Sequence, residues 1–153
     1  MKVVAAYDMR GVQPEGRRLR AKRPSHLHPQ VAALLEARGF DPAIGFFHGI
    51  RYGRQSLSLD VVENFRQPVV DRLTLRLFNR GQVTPEDFEG GERGLRLEAD
   101  AFRRYLALYE EQMTAPSEGK ETPTWREMLR QQVESLKDMV MDGKTLPVYT
   151  WEG

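Results

Sequence analysis

The sequence predicts an all-α fold: a single helical domain over residues 25–153, preceded by a basic lead-in over residues 1–24. Three observations carry this expectation. Apolar residues recur at steps of three and four in four separate segments. Helix-boundary residues flank three of these segments, with proline or a capping hydroxyl at the start and glycine at the end. No alternation of apolar and polar residues runs beyond a few positions, and no internal repeat stands out.

The lead-in has one short apolar stretch, Val3 to Tyr7, followed by a basic block of Arg17, Arg18, Arg20, Lys22 and Arg23 among Gly11, Pro14, Gly16 and Pro24. Such a segment builds no core and reads as an exposed arm, suited either to phosphate contact or to simple solvation. Residues 29–38 are expected to form a short helix, with Pro29 in the first turn, Val31, Leu34 and Leu35 on one face, and Gly39 at the end. Residues 56–80 carry the strongest stripe of the first half: Val62, Phe65, Val69, Leu73 and Leu77. Pro68 interrupts it, so a kink or two abutting helices are expected there. Thr84-Pro85-Glu86-Asp87 has the form of a helix start, and Leu95 and Leu97 that of a short extended piece. Residues 98–114 place Phe102, Tyr105, Leu106, Tyr109 and Met113 on one helical face. Thr124-Trp125-Arg126-Glu127 is a capping box that opens a helix to about Met141, with Trp125, Met128, Leu129, Gln132 or Val133, Leu136 and Val140 as its stripe.

Composition narrows the function classes. The 153 residues include no cysteine, which excludes a disulfide scaffold, a thiolate zinc site and a cysteine nucleophile. No apolar run approaches the ~20 residues of a membrane span, and no secretory h-region is visible, so the expectation is a cytoplasmic protein with no membrane partner. The net charge of +1 hides an imbalance: residues 1–24 carry +5 and the rest −4.

His48 is the most informative of the three histidines. His26 and His28 flank Leu27 and would share a metal only from extended chain. His48 precedes a flexible basic loop, Gly49-Ile50-Arg51-Tyr52-Gly53-Arg54, and Asp60 and Glu63 follow at i, i+3 on one helix face. One imidazole and two carboxylates suit Mn²⁺, and Mg²⁺ with more reliance on the acids and water. The acid pair equally suits the first turn of a helix, as a cap and an acid at the positive dipole end. Arg51, Arg54, Arg66 and Arg72, followed by Arg76 and Arg80, could line a phosphate backbone or simply face solvent, with Asp71 at hand for pairing. No phosphate-binding glycine loop or dinucleotide fingerprint occurs, and Ser56 and Ser58 lack the context of a hydrolase nucleophile. Tyr105 and Tyr109 read as packing residues.

Several of these runs resemble a known family. They are Gly39-Phe40-Asp41-Pro42-Ala43-Ile44-Gly45-Phe46-Phe47-His48-Gly49, Arg51 to Leu57, Leu59 to Arg66, Val70 to Leu73, and Asn79 to Gln82. The stretch from Trp125 to Leu136 and the ending Pro147-Val148-Tyr149-Thr150-Trp151 are similar too. Together they resemble the helical C-terminal domain of the CRISPR-associated adaptation endonuclease, the integrase that inserts new spacers into a CRISPR array.

The resemblance implies an all-α domain and a Mn²⁺ or Mg²⁺ ion held by a glutamate, a histidine and a second acid. His48 matches the histidine, Glu63 the later acidic ligand, and Asp60 the accompanying acid of that helix. It implies DNA as substrate, joined by transesterification and cut by a metal-dependent nuclease, and, as partners, a second copy in a homodimer and a small second subunit of the adaptation complex. The family's first glutamate lies on an earlier helix, after a β-rich domain. Residues 1–24 do not resemble that region, and Glu15 lies in a Pro-Glu-Gly turn, so the ligand is not carried over to it. The expectation is an N-terminally truncated chain with an incomplete metal site: an integrase by family, or a catalytically impaired remnant acting as a DNA-binding or protein-interaction helical module.

Overall fold

In the computed structural model, the structure describes residues 26–49, 52–91, 94–119 and 121–147. The basic lead-in, Arg51 and the Tyr149–Trp151 ending lie outside them. The described chain is predominantly helical, with one two-stranded sheet. It falls into two compact units, one containing Leu73–Glu110, the other Ser25–Arg72 and Glu111–Gly153. No helix among the described residues is long and apolar enough to cross a membrane.

The second unit holds the candidate site. Its first helix, α1 (Leu27–Glu36), buries Leu27, Val31, Ala32 and Leu35. Helix α2 (Ser56–Phe65) buries Leu57, Val61, Val62 and Phe65, and α1 packs against it. The helix then widens into a π-helical turn over Arg66–Asp71 before α3 (Arg72–Asn79). Pro68 explains the widening. It has no N–H to give, and its ring collides with a carbonyl one α-turn back, so the loosened turn removes the clash. The expected kink is thus a π-turn. The whole stripe Val62, Phe65, Val69, Leu73 and Leu77 is buried.

Helix α5 (Trp125–Asp142) packs on both α1 and α2. The Thr124 side chain accepts from the Glu127 N–H at 3.2 Å, and the Glu127 carboxylate accepts from the Thr124 N–H at 2.8 Å. A cap of this kind stabilises a helix by about 1 kcal/mol. Gly143, at φ 68°, ends the helix in the left-handed conformation that glycine adopts without strain. Val140 departs from its expected stripe and is exposed.

In the first unit, Thr84 and Asp87 form the capping box the sequence announces, but the helix lasts only over Pro85–Asp87. The chain extends at Phe88 into β1 (Phe88–Gly91), which pairs antiparallel with β2 (Gly94–Leu97). The Phe88 ring stacks on Phe78 at 6.2 Å, and Arg104 of α4 (Ala99–Thr114) pairs with Asp87 at 2.7 Å. These tertiary contacts override a good local helix start.

Tyr105 and Tyr109 are buried, as expected of packing residues. Burial pushes the Tyr105 phenol up from 10.0 to about 12. The folded chain therefore holds a proton that the unfolded chain releases. The associated stability is whole below pH 10 and falls as pH rises toward 12. Thermal melts between pH 9 and 12 should decline more steeply in the wild type than in Tyr105→Phe. Equal slopes would remove this phenol from the account.

Candidate functional site

The site is built from loop residues 42–49 and 52–55, tied to the first turns of α2. The opening of a helix leaves backbone N–H groups without partners inside the helix. Here the Leu57 N–H donates to the Pro42 carbonyl at 2.8 Å, and the Ser56 hydroxyl donates to the Gly49 carbonyl at 3.1 Å. Ser56 and Asp60 are four residues apart, so both face the loop from one side of α2.

Asp60 organises the loop. One oxygen, Oδ2, accepts the Phe46 N–H at 2.7 Å and the Phe47 N–H at 3.0 Å. The other, Oδ1, accepts the His48 N–H at 3.1 Å and lies in close contact with His48 Nδ1. The Asp60 side chain is 0% exposed and that of His48 37%. Burial pushes the Asp60 carboxyl up. The hydrogen bonds from the His48 side chain and from the N–H groups of Phe47, Phe46 and His48 outweigh it and hold the carboxyl below its ordinary range. Asp60 is thus ionised at neutral pH and can only accept, so His48 Nδ1 carries the shared proton.

Gly45 makes this approach feasible. A Cβ there would sit 2.7 Å from Asp60 Oδ2 and 2.8 Å from both the His48 carbonyl oxygen and the Ser56 Cβ. Sequence reasoning missed the roles of Gly45 and Ser56. The available signal was a glycine interrupting the apolar run Ile44 to Phe47. Above the clamp, Phe46 and Phe47 are exposed and meet edge to face at 4.9 Å.

The structure brings His48 and Asp60 together and leaves Glu63 outside their hydrogen-bond network. Glu63 is 64% exposed and pairs with Arg66 at 3.4 Å. Because α2 begins at Ser56, Asp60 and Glu63 lie beyond its first turn, and the cap explanation of the pair is set aside. Arg66 also reaches Asp71 at 3.9 Å. Arg72 is exposed and Arg54 half-buried; Arg54 borders an open depression of about 360 Å³ with Glu36, Asp41 and Gln55. His26 and His28 begin α1, where helical backbone turns their rings apart.

As a Mn²⁺ or Mg²⁺ site the set is incomplete. Both Asp60 oxygens are spent on hydrogen bonds, which leaves His48 Nε2 and the Glu63 carboxylate. Among the described residues no three His, Cys, Asp or Glu side chains are grouped to hold a metal ion.

The family model for CRISPR associated protein Cas1 matches residues 25–111. The CRISPR-associated endonuclease Cas1 3 of Thermus thermophilus is 40% identical over 109 residues, covering 69% of this chain and 32% of that protein. Among solved structures, a Cas1 protein from Thermotoga maritima superposes with a TM-score of 0.70 at 28% identity, over 79% of this chain and 38% of that one. A casposase bound to its integration product superposes at 0.67 with 26% identity, over 77% of this chain and 35% of that one. The chain spans about a third of the length of these relatives. With more than half of its residues matched by the family model, the chain belongs to the Cas1 family.

Proposed function

We propose that this chain is a DNA-binding helical module of Cas1 type, carrying an oriented imidazole but only part of a cation site, and silent as a nuclease by itself. One observation carries this reading: the Asp60 carboxylate is buried and fully engaged, so it has no oxygen to give a cation. Binding would rest on Arg54, Arg66 and Arg72, with Arg51 and the basic lead-in adding charge. Each phosphate so neutralised steepens the salt dependence by about one unit of log–log slope.

A second reading follows from His48. Its Nδ1–H on a carboxylate leaves Nε2 directed elsewhere, the arrangement of a metal-bound histidine. If further ligands come from outside this chain, then His48 and Glu63 would join a complete Mn²⁺ or Mg²⁺ site. The assembly (a homodimer with a small second subunit) would then carry out spacer integration into DNA.

Fluorescence anisotropy on branched DNA, with parallel nicking assays in Mn²⁺, separates the two. The module reading expects binding that weakens steeply with salt, unchanged affinity in His48→Ala, and no strand cleavage. Mn²⁺-dependent nicking by the isolated chain, lost in His48→Ala, would replace it with the integrase reading. Salt-independent binding, or none, would remove DNA from the account.

A further inference from the structure

We infer that Asp60 is a positioning residue: it fixes which nitrogen of His48 is available and holds the backbone of residues 46–48 in one shape. The inference goes beyond DNA binding and does not depend on it.

Two independent sets of contacts meet on this carboxylate. Three consecutive backbone N–H groups, of Phe46, Phe47 and His48, point at it from the loop. Consecutive N–H groups converge on a single carboxylate only if the chain curls around it, and that curl turns the Phe46 and Phe47 rings outward. The second set is the ring itself, through Nδ1. A neutral imidazole has one N–H, and an ionised carboxylate offers no proton. The Nδ1–H form is therefore the one that keeps this contact attractive, and Nε2 is left as the lone-pair nitrogen. In water a neutral imidazole has no such partner to choose its form. The anchor is firm because Asp60 rides on α2, whose neighbours Val61, Val62 and Phe65 are buried.

Asp60 thus differs in kind from Glu63, although the sequence presents them as a pair. Glu63 is exposed and pairs with Arg66 at the end of its own helix, while Asp60 offers His48 a fixed acceptor and the loop a fixed centre. The chemistry at His48 is that of a nitrogen lone pair, able to accept a proton or ligate, on a ring whose other face of reactivity is closed.

Nitrogen-15 NMR of the full chain, at a pH where His48 is neutral, reads the first claim. The wild type should show a protonated Nδ1 and a bare Nε2. Asp60→Asn retains an acceptor oxygen and should keep this form in part. Asp60→Leu should lose it and give the Nε2–H form or a mixture. Amide exchange reads the second: protection at Phe46, Phe47 and His48 should fall about tenfold or more in Asp60→Leu, as expected when charge-assisted hydrogen bonds are removed. Amides of α5 serve as the folding control, and His48→Ala should leave the protection of Phe46 and Phe47 in place. An Nε2–H form in the wild type overturns the inference. So does equal protection in the wild type and in an Asp60→Leu chain that keeps its α5 amides. If Asp60→Leu does not fold, the wild-type tautomer and the Asp60→Asn spectrum decide. Anisotropy on DNA is a separate measurement, so the binding proposal stands or falls independently.

Discussion

Replacing Gly45 by alanine is expected to destabilise the chain by about 3 kcal/mol and to dismantle the site with it. The added methyl has nowhere to go. Its carbon would lie 2.7 Å from Asp60 Oδ2, 2.8 Å from the His48 carbonyl oxygen and 2.8 Å from the Ser56 Cβ. None of these is the free end of a flexible side chain. The carboxylate is held by its loop donors, the carbonyl is backbone, and Ser56 is fixed at the start of α2. Relief therefore requires the loop to lift off the carboxylate, leaving a buried charge short of partners. Urea denaturation measures the loss, and the amide resonances of Phe46 to His48 report the loop. An unchanged midpoint would mean that Gly45 does not lie against Asp60.

Phe65→Ala should cost about 3–5 kcal/mol, the usual range for emptying a buried aromatic site. Phe65 is 0% exposed and sits where α2 gives way to the π-turn. A void at this point removes packing from the helix that carries Asp60. Phe65→Leu fills most of the volume and should cost much less, about 1 kcal/mol. Phe47 is the internal contrast: same residue type, 85% exposed, so Phe47→Ala should lie within about 0.5 kcal/mol of the wild type. Equal losses for Phe65→Ala and Phe47→Ala would contradict the assignment of core and surface.

Most helices were legible because their signals are local. Thr124 and Glu127 announce α5, and Gly143 ends it. Leu34 and Leu35 with Gly39 mark α1, although the helix starts two residues before Pro29, at Leu27. The hairpin was only half legible. Leu95 and Leu97 suggested its second strand, but Thr84 to Asp87 argued for a helix, and the competing Phe78–Phe88 stack lies outside any local window. At the site, spacing and the resemblance both singled out His48, Asp60 and Glu63 as candidates, and the two acids do share one helix, α2. Spacing could not separate their roles. Burial of one and exposure of the other depend on where residues 42–49 fold back, a tertiary fact set by Gly45, Ser56 and Pro42.

The widened turn at Arg66–Asp71 has a consequence for how this helix tolerates changes in length. Four-residue steps overrun an α-helical turn by about 40°, since each residue advances about 100°. From Phe65 to Val69 to Leu73 such steps would drift off one face, and a looser coil around Pro68 takes up the excess. Losing a single residue there would let the coil tighten to an ordinary α-helix: the seven steps then left from Phe65 to Leu73 advance about 700°, about 20° short of two turns, so the stripe keeps its face. The segment thus holds about one residue of slack, and a shorter form of it should disturb the stripe less than a longer one.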